Sequence, residues 1–291
     1  MKISILTPCL NSAAYLERAI RSVVAQNDSD FEHVVVDGGS TDGTVTILKQ
    51  YPHLRWISEP DQGQTHAMNK AFAMSRGDVV TYLNSDDWFE PGVFVHLRDC
   101  WTSDPQADMV IGNFYWRYAY KTTVRLMVPK KDYCSTLLFF QNVWPLNPVC
   151  YFYRRAVQAS MGDIPADVGF GRDYWFLIRA MAKARIHPSD LVFGTYFFHP
   201  GSETVRKSRS EEGDSSCRRW VREHLREANP RLLAWWTAHW WWHRYVRQFP
   251  EPIKVPFRYL AYKVLFASQL DYDEFRSLGF RKCWRQQLRK G

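Results

Sequence analysis

The chain has 291 residues, 46% of them hydrophobic and 16% aromatic, and a formal charge of +8 from 38 basic and 30 acidic side chains. That is enough apolar material for a full core, which excludes a disordered chain, and the six scattered cysteines exclude a small disulfide-stapled scaffold. The positive balance suits nucleotide phosphates, acidic lipid surfaces or nucleic acid without choosing among them.

In chain order, residues 2–6 are a strand candidate that Pro8 stops, and Asn11 or Ser12 caps a helix with Tyr15, Leu16, Ile20, Val23 and Val24 on its apolar face. The same β-turn-α pattern recurs. Residues 31–36 read as a strand, 37–43 as a polar turn and 44–50 as a helix; 54–58 is a third strand, leading through 59–64 into a helix over 65–74. A fourth strand, 79–83, runs into Asn84-Ser85-Asp86-Asp87-Trp88, and a helix begins near Pro91. The alternation predicts an α/β fold with a mostly parallel, Rossmann-like sheet flanked by helices. Its polar turns then share one edge, so Asp37, Asp61, Asp86 and Asp87 are expected to converge where such sheets bind ligands. Adjacent hard oxygen donors there suit Mg²⁺ or Mn²⁺ carrying a diphosphate.

Beyond Met109 the pattern blurs into aromatic, strand-like runs at 113–118 and 148–154, a helix at 173–184 and a strand at 191–199. Composition shifts near residue 205. Residues 1–205 are expected to form the α/β domain, and 206–291 a helical region rich in Trp and Arg. There Trp235, Trp236, Trp240, Trp241 and Trp242 make a segment apolar nearly all round, and Phe257, Leu260, Ala261, Val264 and Leu265 form a cleaner stripe. Core packing and docking at a bilayer interface both suit this region. The cysteine pattern, the short apolar run at Met1–Leu6 and the lack of eighteen consecutive apolar residues point to a cytoplasmic protein, with the inner membrane face as an alternative.

Several chemistries lack their signatures. Thr7-Pro8-Cys9-Leu10-Asn11 is neither G-x-G-x-x-G nor a P-loop, and it lacks the glycine-rich basic loop that a sugar nucleotidyltransferase would need for a triphosphate. Nucleic-acid binding through Arg218, Arg219, Arg222, Arg226 and Arg231 is disfavoured by the interleaved Glu211, Glu212, Glu223 and Glu227.

Taken as a set, Thr7-Pro8 with Asn11, Val36-Asp37-Gly38-Gly39-Ser40-Thr41-Asp42-Gly43, Glu59-Pro60-Asp61-Gln62-Gly63, Ala67-Met68-Asn69-Lys70, Gly77-Asp78 and Asn84-Ser85-Asp86-Asp87 resemble the successive motifs of family-2 inverting glycosyltransferases of the GT-A fold. The resemblance covers roughly the first hundred residues. It implies that Thr7, Pro8, Asn11, Asp37 and Asp61 hold the nucleoside, Asp86 the ribose or metal, and Asp87 a Mn²⁺ or Mg²⁺ ion bridging the diphosphate. Asp173, in a segment similar to the family's Glu-Asp pair but with Arg172 in place of Glu, would be the base; Asp163 and Asp167 are the fallbacks. His199 falls in a segment whose histidine can reach the metal. The donor expected is a UDP-sugar, with GDP- and dTDP-sugars next, and the acceptor a glycan or lipid-linked hydroxyl in cell-surface polysaccharide assembly. Absence of a Gln-x-x-Arg-Trp segment and of membrane spans implies a non-processive enzyme.

Overall fold

In a computed structural model, residues 1–128, 147–203 and 205 are described. They form nine strands in one sheet, ordered β3-β2-β1-β4-β8-β6-β9-β5, with β7 paired to β6. The first part is β1 (Ile3–Cys9), α1 (Leu16–Val24), β2 (Phe31–Asp37), α2 (Thr44–Leu48), β3 (Leu54–Ser58), α3 (Gln64–Met74) and β4 (Val79–Tyr82). Strands β3, β2, β1 and β4 are parallel neighbours, and β1 and β2 are buried along most of their length, as continuous apolar runs require. All four carboxyl ends point to one edge.

The second part is less regular: β5 (Trp88–Phe89), α4 (Val93–Ser103), β6 (Met109–Tyr118), β7 (Val124–Met127), a 3₁₀ turn at Pro148–Cys150, β8 (Tyr151–Arg154), α5 (Arg155–Ala159), a 3₁₀ turn at Ala166–Gly171, α6 (Arg172–Lys183) and β9 (Ile186–Phe198). Here β8 runs antiparallel to both β4 and β6, β5 to β9 and β7 to β6, while β6 and β9 are parallel. The sheet is therefore mixed. The expected α/β fold holds, with parallel pairing through the first four strands and again between β6 and β9, and antiparallel pairing elsewhere because the later strands do not follow the simple βαβ rhythm. The domain boundary expected near residue 205, and the whole region 206–291 with its tryptophans, lies outside the described residues.

Two local differences have simple causes. Strand β1 does not stop at Pro8 but continues to Cys9, in register with β2. Leu6 presents its carbonyl to Leu83 N–H, so two residues on Pro8 faces the same side, where β4 has already ended and no amide is needed. Helix α1 starts at Leu16, several residues after Asn11 and Ser12. Those two side chains tie loops together instead. Asn11, in the left-handed region at φ 49°, accepts from Thr41 N–H at 2.9 Å, and the Ser12 hydroxyl meets that of Ser85 at 2.9 Å. Leu16, Ala19, Ile20 and Val23 are the buried face, while Val24 is exposed and Tyr15 turns toward the sheet edge.

Candidate active site

At the carboxyl edge of β1–β4 lies a cavity of about 450 Å³, lined by Asn11, Ser12, Asp61, Ser85 and Asp86 from the first half of the chain and by Trp116, Arg172, Asp173, Tyr196 and His199 from the second. The turn after β2 sits close to the one after β3 because Gly38 and Gly39 have no side chains. A Cβ on Gly38 would come within 2.8 Å of Asp61 Oδ2, and Gly39 adopts φ 84° over the Pro60 backbone. Gly63 N–H donates to Asp61 Oδ1 at 2.7 Å, fixing that carboxylate in the wall.

The four aspartates expected to converge divide into two pairs. Asp61 and Asp86 line the cavity. Asp37 and Asp87 are completely buried and do not line it. Asp37 accepts from Ser40 N–H at 3.0 Å, from the Ser40 hydroxyl, and from Ser58 Oγ at 2.6 Å, so its carboxylate closes the Asp37–Gly43 turn. Asp87 accepts from Phe197 N–H at 2.9 Å and from Asn84 Nδ2 at 3.1 Å, clamping the end of β9 to the loop after β4. Burial, reinforced by the neighbouring charge of Asp86, holds its carboxyl well above the ordinary carboxylate range. Asp87, expected as a metal ligand, and Asp37, expected against the base, are thus buried beside the cavity, and Asp61 and Asp86 are the carboxylates that line it.

Asp86 Oδ2 lies 3.0 Å from His199 Nε2, and Nδ1 of the same buried ring has no hydrogen-bond partner. The ring packs on Tyr15, with centroids 4.2 Å apart. Arg18 supports the dyad from below, donating to the Asp86 carbonyl at 3.0 Å with its guanidinium over the rings of Trp88 and Phe197 at 3.7 and 4.5 Å. Two protein donors suit Mg²⁺ or Mn²⁺, ions that complete their octahedra with substrate phosphates and water. Among the described residues no three His, Cys, Asp or Glu side chains gather to hold an ion unaided.

Asp173, which also lines the cavity, lies in the first turn of α6. Burial raises its carboxyl above the usual range, Arg172 opposes that shift and Glu203 adds to it. Arg172 is itself buried, held by Gln64 and Glu203. The fallbacks Asp163 and Asp167 are exposed and do not line the cavity.

Thr7 is fully buried and pairs with His33 Nε2 at 2.9 Å, away from the cavity, whereas Pro8 and Asn11 line it.

The sequence pattern of Glycosyl transferase family 2 matches residues 4–158, more than half of the chain. The chain belongs to that family. A glycosyltransferase from Nostoc sp. is 35% identical over 173 residues, 54% of this chain and 52% of its own. One from Mycobacterium tuberculosis is 29% identical over 182 residues, 61% and 68% respectively. The chain thus spans about half the length of the Nostoc relative, and 17% of GlyA from Streptococcus pneumoniae. Staphylococcus aureus TarS, solved with UDP-GlcNAc, superposes with a TM-score of 0.63 at 18% identity over 98% of this chain and 92% of that one. The mannosyltransferase PcManGT from Pyrobaculum calidifontis, solved with GDP-Man and Mn²⁺, gives 0.51 at 17% over 99% and 87%. These neighbours establish the GT-A-like fold.

Within this family-2 cavity, sequence reasoning missed the aromatic wall. Phe114, Trp116 and Tyr196 line it, from strands whose pairing is long-range and whose β6–β9 register slips at Asn113. It also missed Glu203 and Asn147. A signal was present in the alternating aromatics Phe114, Trp116 and Tyr118, which mark one face of a strand without saying what that face meets.

Proposed function

We propose that this protein transfers a single sugar from a nucleoside-diphosphate sugar to an acceptor hydroxyl, with inversion, in the assembly of a cell-surface glycan. The observation that carries the reading is the meeting of Asp61, Asp86 with His199, and Asp173 in one cavity at the carboxyl edge of the sheet. Asp61 is the carboxylate that would accept the base N–H; an ionised acceptor favours uracil, thymine or guanine over cytosine. The ligands of the solved relatives, UDP-GlcNAc and GDP-Man, support that class. We rank UDP-sugars first.

Asp86 and His199 would hold a divalent cation against the diphosphate, and when bound it supplies positive charge where the leaving group gains negative charge. The chain's own residues account for the rest. Asp173 accepts the acceptor's hydroxyl proton; the freed oxygen pair forms the new bond to the anomeric carbon, and the bond to the phosphate oxygen breaks, its electrons leaving with the nucleoside diphosphate. A carboxyl raised by burial is better matched to that proton than an ordinary aspartate. The single displacement turns an α-linked donor into a β-linked product.

Thermal unfolding with UDP, GDP, dTDP and CMP, each with and without Mn²⁺, tests the reading. One nucleotide should stabilise the protein in the presence of metal, by about 2.7 kcal/mol at a hundred times its dissociation constant. If none of the four raises the melting temperature, the transferase reading fails.

A further inference from the structure

Strands β6 and β9 carry a row of rings that the nucleotide-sugar reading leaves without a task. Trp116 pairs with Tyr196 and Tyr118 with Phe198 in the parallel register, so all four share one face. That face begins in the cavity, where Trp116 and Tyr196 are wall residues, and continues past its mouth. Trp116 and Tyr118 are near parallel, centroids 5.8 Å apart and planes 20° apart; Phe198 lies 5.4 Å from Tyr118, and Tyr120 extends the row another 5.5 Å. Lys121 Nζ sits 4.8 Å from the Tyr118 ring. The four paired rings are half-buried and Tyr120 is 61% exposed, so the row runs from the site toward solvent.

We infer that this row is a carbohydrate track that holds the acceptor glycan behind its reacting sugar, an inference that rests on the transferase reading for its direction. The faces of a pyranose carry several C–H bonds polarised by neighbouring oxygens, and they meet the negative face of an aromatic ring much as a cation does. Phenol hydroxyls at Tyr118 and Tyr120, with the Lys121 ammonium, supply hydrogen bonds to sugar hydroxyls at the ring margins. From residue 114 to residue 118 the strand advances about 13 Å, room for more than one sugar. An acyl chain is a poorer match, because Val124 and Leu126 pair with Arg117 and Tyr115 on the other face of this hairpin, while the face of the rings has Arg125 opposite Trp116 and Met127 opposite Phe114. The track makes the acceptor an oligosaccharide rather than a lone lipid headgroup.

A printed array of bacterial surface oligosaccharides, read with the full chain, tests the track. Binding to a subset of printed tetrasaccharides is expected, weaker for the matching disaccharides. Tyr118→Leu should weaken the tetrasaccharide signal about tenfold, the upper value of one aromatic contact. Tyr120→Ala, at an exposed position where truncation leaves the fold intact, should weaken it severalfold even if the Tyr118 variant does not fold. No bound glycan, or binding that both variants retain, overturns the inference. Vesicles of phosphatidylglycerol are the second arm; vesicle binding lost in Tyr120→Ala without any glycan signal assigns the strip to lipid and overturns it too. The nucleotide panel on the unaltered protein judges the transferase reading separately, so the two can fail apart.

Discussion

The two halves of the sheet make opposite use of sequence. In β1–β4 every strand is followed by a short polar turn, and the turns after β1, β3 and β4 deliver side chains to the cavity within a few residues of the strand that positions them. In β6–β9 the cavity residues come from long antiparallel and parallel pairings, so Trp116 and Tyr196 face the site only because strands 80 residues apart in sequence lie side by side. The first half is built by local rules and the second by tertiary ones. Mutations in the first half should therefore act on nucleotide and metal, and those in the second, His199 apart, on acceptor and proton transfer.

The largest expected effect lies on the first side of that division. Asp86→Ala removes the cavity-facing carboxylate while leaving Asp87 to hold β9, so the fold should persist and metal-dependent stabilisation by nucleotide should vanish, with turnover down by about a thousandfold or more. Asp173→Asn is the counterpart on the other side. It should cut turnover by roughly a hundredfold to ten-thousandfold, the range of a general base, with nucleotide stabilisation intact. Initial rates and thermal shifts on the same preparations separate the two. If Asp86→Ala kept its metal response while Asp173→Asn lost it, the halves would have to exchange roles.

Asp87→Ala breaks the comparison in a different way, because it removes a joint between the halves. Phe197 N–H would lose its acceptor next to a buried cavity left by the carboxylate, a destabilisation of about 1–3 kcal/mol read from denaturant unfolding. Asp87→Asn, which keeps a carbonyl oxygen for Phe197 N–H, should recover most of it. Were Asp87→Ala as stable as the unaltered chain and blind to metal, the inner aspartate would be a ligand after all.

How far the site was legible follows from the same contrast. The β-turn-α rhythm placed Asp61 and Asp86 at the right edge, because hydrophobic period and turn residues are local signals. It could not say which of two neighbouring aspartates faces outward; that depends on where β4 stops and which backbone amide of β9 needs an acceptor. Asp173 was legible as the start of a helix, and α6 does begin at Arg172. The pairing of β6 with β9 was not, since the bulge at Asn113 shifts the register and no local pattern records it. Thr7 shows the limit most plainly. It sits one residue before Pro8, which lines the cavity, yet its hydroxyl turns the other way to His33.

That Thr7–His33 pair gives no effect at neutral pH and a pH signature confined to the parallel half. His33 is completely buried on β2, and desolvation lowers its folded pKa to about 3, with the positive charge that His53 can acquire acting in the same direction. In the unfolded chain the imidazole titrates near 6.5. Between those values the unfolded state binds a proton that the folded state refuses, so stability rises with pH across the window and is lost as pH falls through it. The slope from this one residue is at most about 1.4 kcal/mol per pH unit. Unfolding midpoints of the unaltered protein and of His33→Gln, followed from pH 7 to pH 4, should show a shallower acid limb in the variant, whose amide can still pair with Thr7 and carries no titrating proton. Parallel acid limbs would mean that carboxylates alone set the acid sensitivity of this half and that the buried histidine is protonated in the folded state.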